Sequence, residues 1–284
     1  MLLAVVLSGA GCAPGGVQVP PLRRPLEGLR TWAVYYDAGA AAATALARFD
    51  LVVLDPDRHP PLDTVTRHRT LVLMYVSVGE INVHHPDYAS IAREPWVLDA
   101  NPDWPEARRL DVRAPAYTEW LQSRLVARAL APSQVHGVFL DTADAALELE
   151  RVDPKRFGGA RTALERTVRA IRTAHPGALV VLNSGLDLAE RLVDVLDGVV
   201  MESVWTDYDF GAKRYLRRDA AEAEKRATLL SSVAARGLVA LTLEYAPPDD
   251  PRWVAQLIGA ARTRGFVPYV STIGLDRVFT HTLR

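Results

Sequence analysis

From Thr31 onward, short apolar runs alternate with longer segments of helical period. Eight runs read as strands: Trp32–Asp37, Leu51–Asp55, Leu71–Glu80, Val135–Asp144, Leu179–Gly185, Gly198–Ser203, Leu238–Ala246 and Phe266–Thr272. Most are continuously apolar rather than alternating, the pattern of parallel strands buried on both faces. Between them, residues 115–131 begin at Pro115, repeat Tyr117, Trp120, Leu121 and Leu125 on one face, and stop before Pro132. Residues 158–175 place Ala163, Leu164, Val168 and Ile171 near a 3.6 period and end at Pro176-Gly177. Residues 186–196, 217–236 and 250–264 also predict helices, with Gly237 and Gly265 where C-terminal stops belong. Residues 39–48 and 60–68 carry shorter helical patterns. The stretch 81–114, with Pro86, Pro95, Pro102 and Pro105, reads as a long βα loop. Eight strand–helix units within about 250 residues predict an α/β fold, a single (β/α)8 TIM barrel, in preference to a doubly wound open sheet.

Composition narrows the function without naming it. The 284 residues carry 33 Lys+Arg against 34 Asp+Glu, so no basic excess points to a nucleic-acid partner. A single cysteine excludes an intramolecular disulfide framework and a cysteine-only zinc site. That cysteine follows an apolar run, Leu2 to Leu7, and the small-residue segment Leu7-Ser8-Gly9-Ala10-Gly11. The arrangement reads as a shortened export signal ending in a bacterial lipobox, although no Lys or Arg precedes it. On that reading residues 1–12 are the signal, Cys12 is the lipid anchor, 13–30 is a Gly/Pro-rich tether, and 31–284 is the barrel domain. The apolar run is too short to span a bilayer. The expectation is a monomeric, secreted or cell-envelope lipoprotein that meets the membrane only through Cys12. The alternative for this segment is a buried strand with an inert cysteine.

Polar residues collect at the strand ends. Strand one ends in Tyr35-Tyr36-Asp37, strand two in Asp55, strand three in Ser77-Val78-Gly79-Glu80, and strand four in Asp141-Thr142-Ala143-Asp144. The later strands end in Asn183, in Glu202-Ser203, in Glu244-Tyr245, and in Tyr269 and Ser271. A barrel gathers its C-terminal strand ends around one mouth, where enzymes of this fold place their chemistry. Each residue also has a plain structural reading. Asp55 precedes Pro56 and suits a turn, Asp37 and Asp144 suit helix caps, Glu244 suits an arginine partner, and Asn183 suits a loop. Several carboxylates at one apolar mouth would repel one another, a cost usually tolerated where a site needs it. His84 and His85 are adjacent and lack zincin spacing, so no metal site is expected. There is no glycine-rich phosphate loop and no G-x-S-x-G elbow, which leaves Ser77 and Ser184 weak nucleophile candidates and implies no cofactor.

Four segments, in order, carry a resemblance: Tyr75-Val76-Ser77-Val78-Gly79-Glu80, Gly137-Val138-Phe139-Leu140-Asp141-Thr142-Ala143-Asp144, Leu182-Asn183-Ser184-Gly185 and Val200-Met201-Glu202-Ser203. Together they resemble the endo-α-1,4-polygalactosaminidase family of glycoside hydrolases over roughly residues 31–275. The resemblance implies a (β/α)8 barrel acting on a polysaccharide, with Asp141 and Glu202 as the catalytic pair. By analogy with related retaining barrels, Asp141 is the nucleophile and Glu202 the general acid/base. Tyr35, Asp37, Asp55, Tyr75, Glu80, Asp144, Asn183, Trp205, Glu244 and Tyr269 are then candidate substrate contacts. Tyr208 and Tyr245 join Tyr35, Tyr75, Trp205 and Tyr269 as aromatics able to stack on sugar faces. An acidic cleft suits a cationic, partly deacetylated amino-sugar polymer. Two other readings stay open: a non-catalytic carbohydrate-binding barrel, and a metal-dependent hydrolase or deacetylase using Asp37, Glu80 and His84 or His85.

Overall fold

The computed structural model describes residues 26–102 and 104–283. The signal and lipobox reading, Cys12 included, lies outside the described residues. The eight expected strands are all present: β1 (Trp32–Tyr35), β2 (Leu51–Leu54), β3 (Leu71–Ser77), β4 (Gly137–Asp141), β5 (Leu179–Asn183), β6 (Gly198–Glu202), β7 (Val239–Tyr245) and β8 (Val267–Ser271). Each pairs in parallel with the next, in sequence order. Their apolar residues are buried almost without exception, because side chains on one face fill the barrel and those on the other meet the helices. The seam between β8 and β1 is bridged by a side chain: the Trp32 indole N–H donates to the Val267 carbonyl at 2.9 Å. The Tyr269 ring sits beside both Trp32 and Phe49 there, with centroids 6.1 and 6.0 Å away.

The outer helices follow the sequence signals where caps are strong. Asp250 accepts from the Trp253 N–H ahead of the helix Pro251–Thr263, and Asp219 accepts from Ala221 and Glu222 ahead of Ala220–Ala234. The helix Ala160–Ala174 buries Ala163, Leu164, Val168 and Ile171, as its spacing predicts. The expected single helix over 115–131 has three parts: α-helical Pro115–Trp120, a π-helical stretch Leu121–Val126, and α-helical Ala127–Ala129. The expected helix over 186–196 shrinks to one turn, Leu186–Ala189. The packed unit also reaches back past Thr31. Leu26 is buried in the core, and the Arg30 and Thr31 N–H groups donate to Asp50.

Three differences matter for the mouth. The Pro-rich stretch 81–114 is not a plain loop. Glu80–Asn82, Val97–Ala100 and Ala107–Leu110 form a small antiparallel sheet, with Ala107–Leu110 in the middle. Strand four stops at Asp141, and a helix, Ala143–Val152, begins where the sequence pattern continues the strand to Asp144. After β6 a hairpin, Thr206–Asp209 with Arg214–Arg217, stands where no strand is expected from the sequence. Among the described residues no helix is long and apolar enough to cross a membrane.

Candidate active site

The ends of β4, β5, β6 and β7 converge on one polar cluster. The Asn183 side-chain amide donates to Asp141 Oδ1 at 2.8 Å and to Glu202 Oε1 at 2.6 Å. One nitrogen therefore holds both oxygens, which lie no farther apart than the sum of those two lengths, about 5.4 Å. The Tyr245 hydroxyl donates to Glu202 Oε2 at 2.6 Å. Tyr75 and the Thr142 backbone N–H hydrogen-bond Asp141. Tyr36 completes the cluster from the end of β1. Burial holds the Tyr36, Tyr75 and Tyr245 hydroxyls well above the ordinary phenol range, so all three remain protonated donors. Tyr36, Tyr75, Asp141, Glu202 and Tyr245 of this cluster line a 420 Å³ pit together with Asp55, Ser203, Tyr208, Ile273 and Leu275.

Two excursions roof this pit. Trp104, from the segment between the small-sheet strands, meets Phe210, from the tip of the hairpin, edge to face at 4.7 Å. Both rings are about half exposed, at 51% and 53%. Tyr208 packs against Phe210 at 5.0 Å. The pit opens into a groove of 2060 Å³ that runs over Glu80, Asp144 and Glu148 on one side and Ser184 and Arg226 on another.

Burial pushes the Glu202 carboxyl up to about 7, and the neighbouring Asp141 charge adds to the rise. Asp141 is also raised, by burial, but its hydrogen bonds from Asn183, Thr142 and Tyr75 all favour the ionised form. Glu202 is drawn back in the same way by its hydrogen bonds from Tyr245 and Asn183, so both carboxyls of this one site are raised by burial and lowered by their donors. The stability consequence has a definite sign. A carboxyl that binds its proton more tightly when folded stabilises the protein at low pH and loses that contribution as pH rises toward its folded value. Glu202→Gln removes the penalty, on the order of 2–3 kcal/mol at pH 8. Its Tm should exceed that of the wild type by about 5 °C at pH 8, and the difference should vanish near pH 4.5. Calorimetric scans across that range check this; a constant difference would show that Glu202 is not the titrating group.

The sequence-derived candidates divide by position. Asp55, Tyr75, Glu80, Asp141, Asp144, Asn183 and Glu202 line the pit or its groove, as do the sequence-noted aromatics Tyr208 and Tyr245. Asp55 also serves its expected turn, accepting from the Asp57 and Arg58 N–H groups. The other five candidates lie elsewhere. Tyr35 is buried against Gly39, one residue out of register with the site, and Tyr36 takes the place expected of it. Asp37 pairs with Arg58. Trp205 packs on Phe266, because its N–H is tied to Glu244. Glu244 is fully buried and accepts from Val204, Trp205 and Thr206, so it braces the turn after Glu202 and does not reach the cavity. Tyr269 lies in the barrel seam. Asp37, Glu80, His84 and His85 are not gathered into a metal-ligand set: His84 faces Glu106 and His85 faces Asp57. Trp104 and Phe210 were not singled out by sequence, although Trp104 stands among turn residues at Asn101-Pro102-Asp103, where an apolar ring is out of place unless it binds or packs.

A family profile, Glycoside-hydrolase family GH114, matches residues 17–284. The chain belongs to family GH114. It is therefore a glycoside hydrolase, on a (β/α)8 barrel. The glycoside hydrolase domain of PelA from Pseudomonas aeruginosa is 26% identical, with a TM-score of 0.76 over 88% of this chain and 98% of that one. Aspergillus fumigatus Ega3 in complex with galactosamine is 13% identical, with a TM-score of 0.65 over 94% of this chain and 98% of that one. The α-galactosidase TtGalA from Thermus thermophilus shares the fold at 14% identity and a TM-score of 0.53, over 87% of this chain and 62% of that one. Comparison with curated proteins finds no match. Asp141 and Glu202, held together by Asn183, supply two carboxyl groups in one pit, the number that glycoside hydrolysis commonly uses.

Proposed function

We propose that this GH114 protein hydrolyses an α-linked, galactosamine-containing polysaccharide with retention of configuration. The observation that carries the mechanism is the single Asn183 amide bridging Asp141 and Glu202. Carboxyl groups about 5–5.5 Å apart suit direct attack on the sugar, whereas inversion needs roughly 6.5–9.5 Å to admit a water between them. In the first step Asp141 attacks the anomeric carbon while Glu202 gives its proton to the departing glycosidic oxygen. The glycosidic C–O bond breaks and a glycosyl ester of Asp141 forms. In the second step the Glu202 carboxylate takes a proton from water, the resulting oxygen attacks the anomeric carbon, and Asp141 leaves as carboxylate.

The substrate class is supported by charge and by the relatives. Ega3 is described in complex with galactosamine, and the groove here is acidic beside the pit. Glu80 is raised by burial and further by Asp144 and Asp141, against the hydrogen bond from Asn101 and the Arg109 charge that pull it down. Asp144 is raised by burial and by Asp141. Carboxylates that raise one another are relieved by a cation between them, and the ammonium of an unacetylated hexosamine supplies one. Tyr36, Tyr75 and the Trp104–Phe210 roof offer ring faces to the sugars. The apolar run Leu2 to Leu7 and the small residues before Cys12 support export and anchoring at the cell envelope.

Incubation with an α-1,4-linked galactosamine polymer should release reducing ends, and proton NMR should show the α anomer first. Absence of release from partly and fully deacetylated polymer overturns the substrate; the β anomer first overturns retention while leaving hydrolysis in place.

A further inference from the structure

Three successive barrel strands end alike. Asp141, Asn183 and Glu202 are each followed by a residue other than glycine in the left-handed region: Thr142 at φ 63°, Ser184 at φ 58° and Ser203 at φ 51°. A side chain is disfavoured there by about 1–2 kcal/mol, and glycine is the residue that adopts this backbone freely. Strain repeated beside a reacting group persists where the side chain has a use.

For Thr142 the use is internal. Its hydroxyl lies 2.7 Å from the Ser77 hydroxyl and accepts from the Gly79 N–H at 2.8 Å, clamping the β3 and β4 ends together. The two serines differ. The Ser203 N–H donates to Leu243 O at 2.8 Å and its carbonyl accepts from Arg218 at 3.0 Å. On either side, the Glu202 carbonyl accepts from Arg226 and the Val204 N–H donates to Glu244. The Ser184 N–H likewise donates to Val200 O at 2.9 Å. The backbone at both serines is tied down without help from the side chain. Among the described residues neither hydroxyl has a hydrogen-bond partner, and both side chains line the groove, Ser203 at its junction with the pit.

We propose that the Ser203 and Ser184 hydroxyls are substrate contacts that bind the hydroxyl or amino substituents of the sugar held over Asp141 and Glu202. This rests on the proposed reaction and adds two specificity-determining groups to it. A hydroxyl both donates and accepts, so it serves either substituent. Each serine flanks a residue of the catalytic cluster, so a contact there fixes the ring against the nucleophile and the acid.

The test uses glycine against alanine at each position, with the galactosamine polymer as substrate and galactosamine binding by calorimetry as a second readout. Glycine relieves the backbone and removes the hydroxyl; alanine removes the hydroxyl and keeps the strain. Ser203→Gly and Ser203→Ala should each lower kcat/KM by about tenfold or more and weaken galactosamine binding. Tm should hold or rise for glycine and stay near the wild-type value for alanine. Ser184 should show the same signs. A glycine variant with wild-type kcat/KM and wild-type sugar binding overturns the proposal, as does one whose Tm falls, since packing would then explain the residue. Wild-type protein that binds galactosamine but releases no reducing ends overturns the reaction and leaves the contacts to be judged by calorimetry.

Discussion

Asp141→Asn should lower polymer cleavage by at least about 10³-fold without lowering Tm. The substitution keeps the shape of the side chain and the place for the Tyr75 and Thr142 hydrogen bonds. It removes the electron pair that the proposed mechanism directs at the anomeric carbon, and effects of this size are usual when a nucleophile is lost. It also removes the charge that helps raise Glu202 and Asp144. The folded state is relieved of repulsion, so stability and activity move in opposite directions. A destabilising packing defect would move them together. The loss should persist with an activated aryl glycoside, because no leaving group replaces an absent nucleophile. Wild-type turnover in this variant would remove Asp141 from the reaction and, with it, the interpretation of the bridging amide.

The barrel was legible because its signal is repeated eight times. Continuous apolar runs such as Leu51–Leu54 and residues 198–201 have no polar alternation to explain, and repeated between helical segments they fit a sheet covered on both faces. The polar residue closing each run marks the mouth and includes Asp141, Asn183 and Glu202 among the strand ends, while the choice of Asp141 and Glu202 as the pair rests on the family resemblance. What such a pattern does not carry is facing. In a strand buried on both sides, Tyr35 and Tyr36 look alike, and one step decides which reaches the pit. Glu244 shows the same limit: a carboxylate at a strand end reads as a site residue whether it turns to the cavity or into the protein, and here three donors from the turn after Glu202 draw it inward. The roof was illegible for another reason. Trp104 and Phe210 sit in short excursions with no period of their own, and their meeting depends on two loops more than a hundred residues apart.

Glu202→Gln should lower polymer cleavage by about 10²–10⁴-fold, the usual contribution of a positioned acid, yet spare much of the first step on an aryl glycoside. The natural leaving group is a sugar alkoxide, which needs a proton as the C–O bond breaks. A nitrophenolate leaves without one. With that substrate the glycosyl ester of Asp141 should form and accumulate, seen as a burst of nitrophenol followed by slow turnover, since the carboxylate assigned to activate water is gone. The pH profile should change with it. In the wild type, kcat/KM should fall as pH rises through about 7, as Glu202 loses its proton; in the glutamine variant that basic limb should disappear. The acid limb, set by ionisation of Asp141 above the ordinary aspartate range, should remain in both. If the glutamine variant instead kept the basic limb and lost that on the acid side, the two carboxyls would exchange roles: Glu202 would be the nucleophile, and the group that titrates near 7 would have to be sought at Asp141.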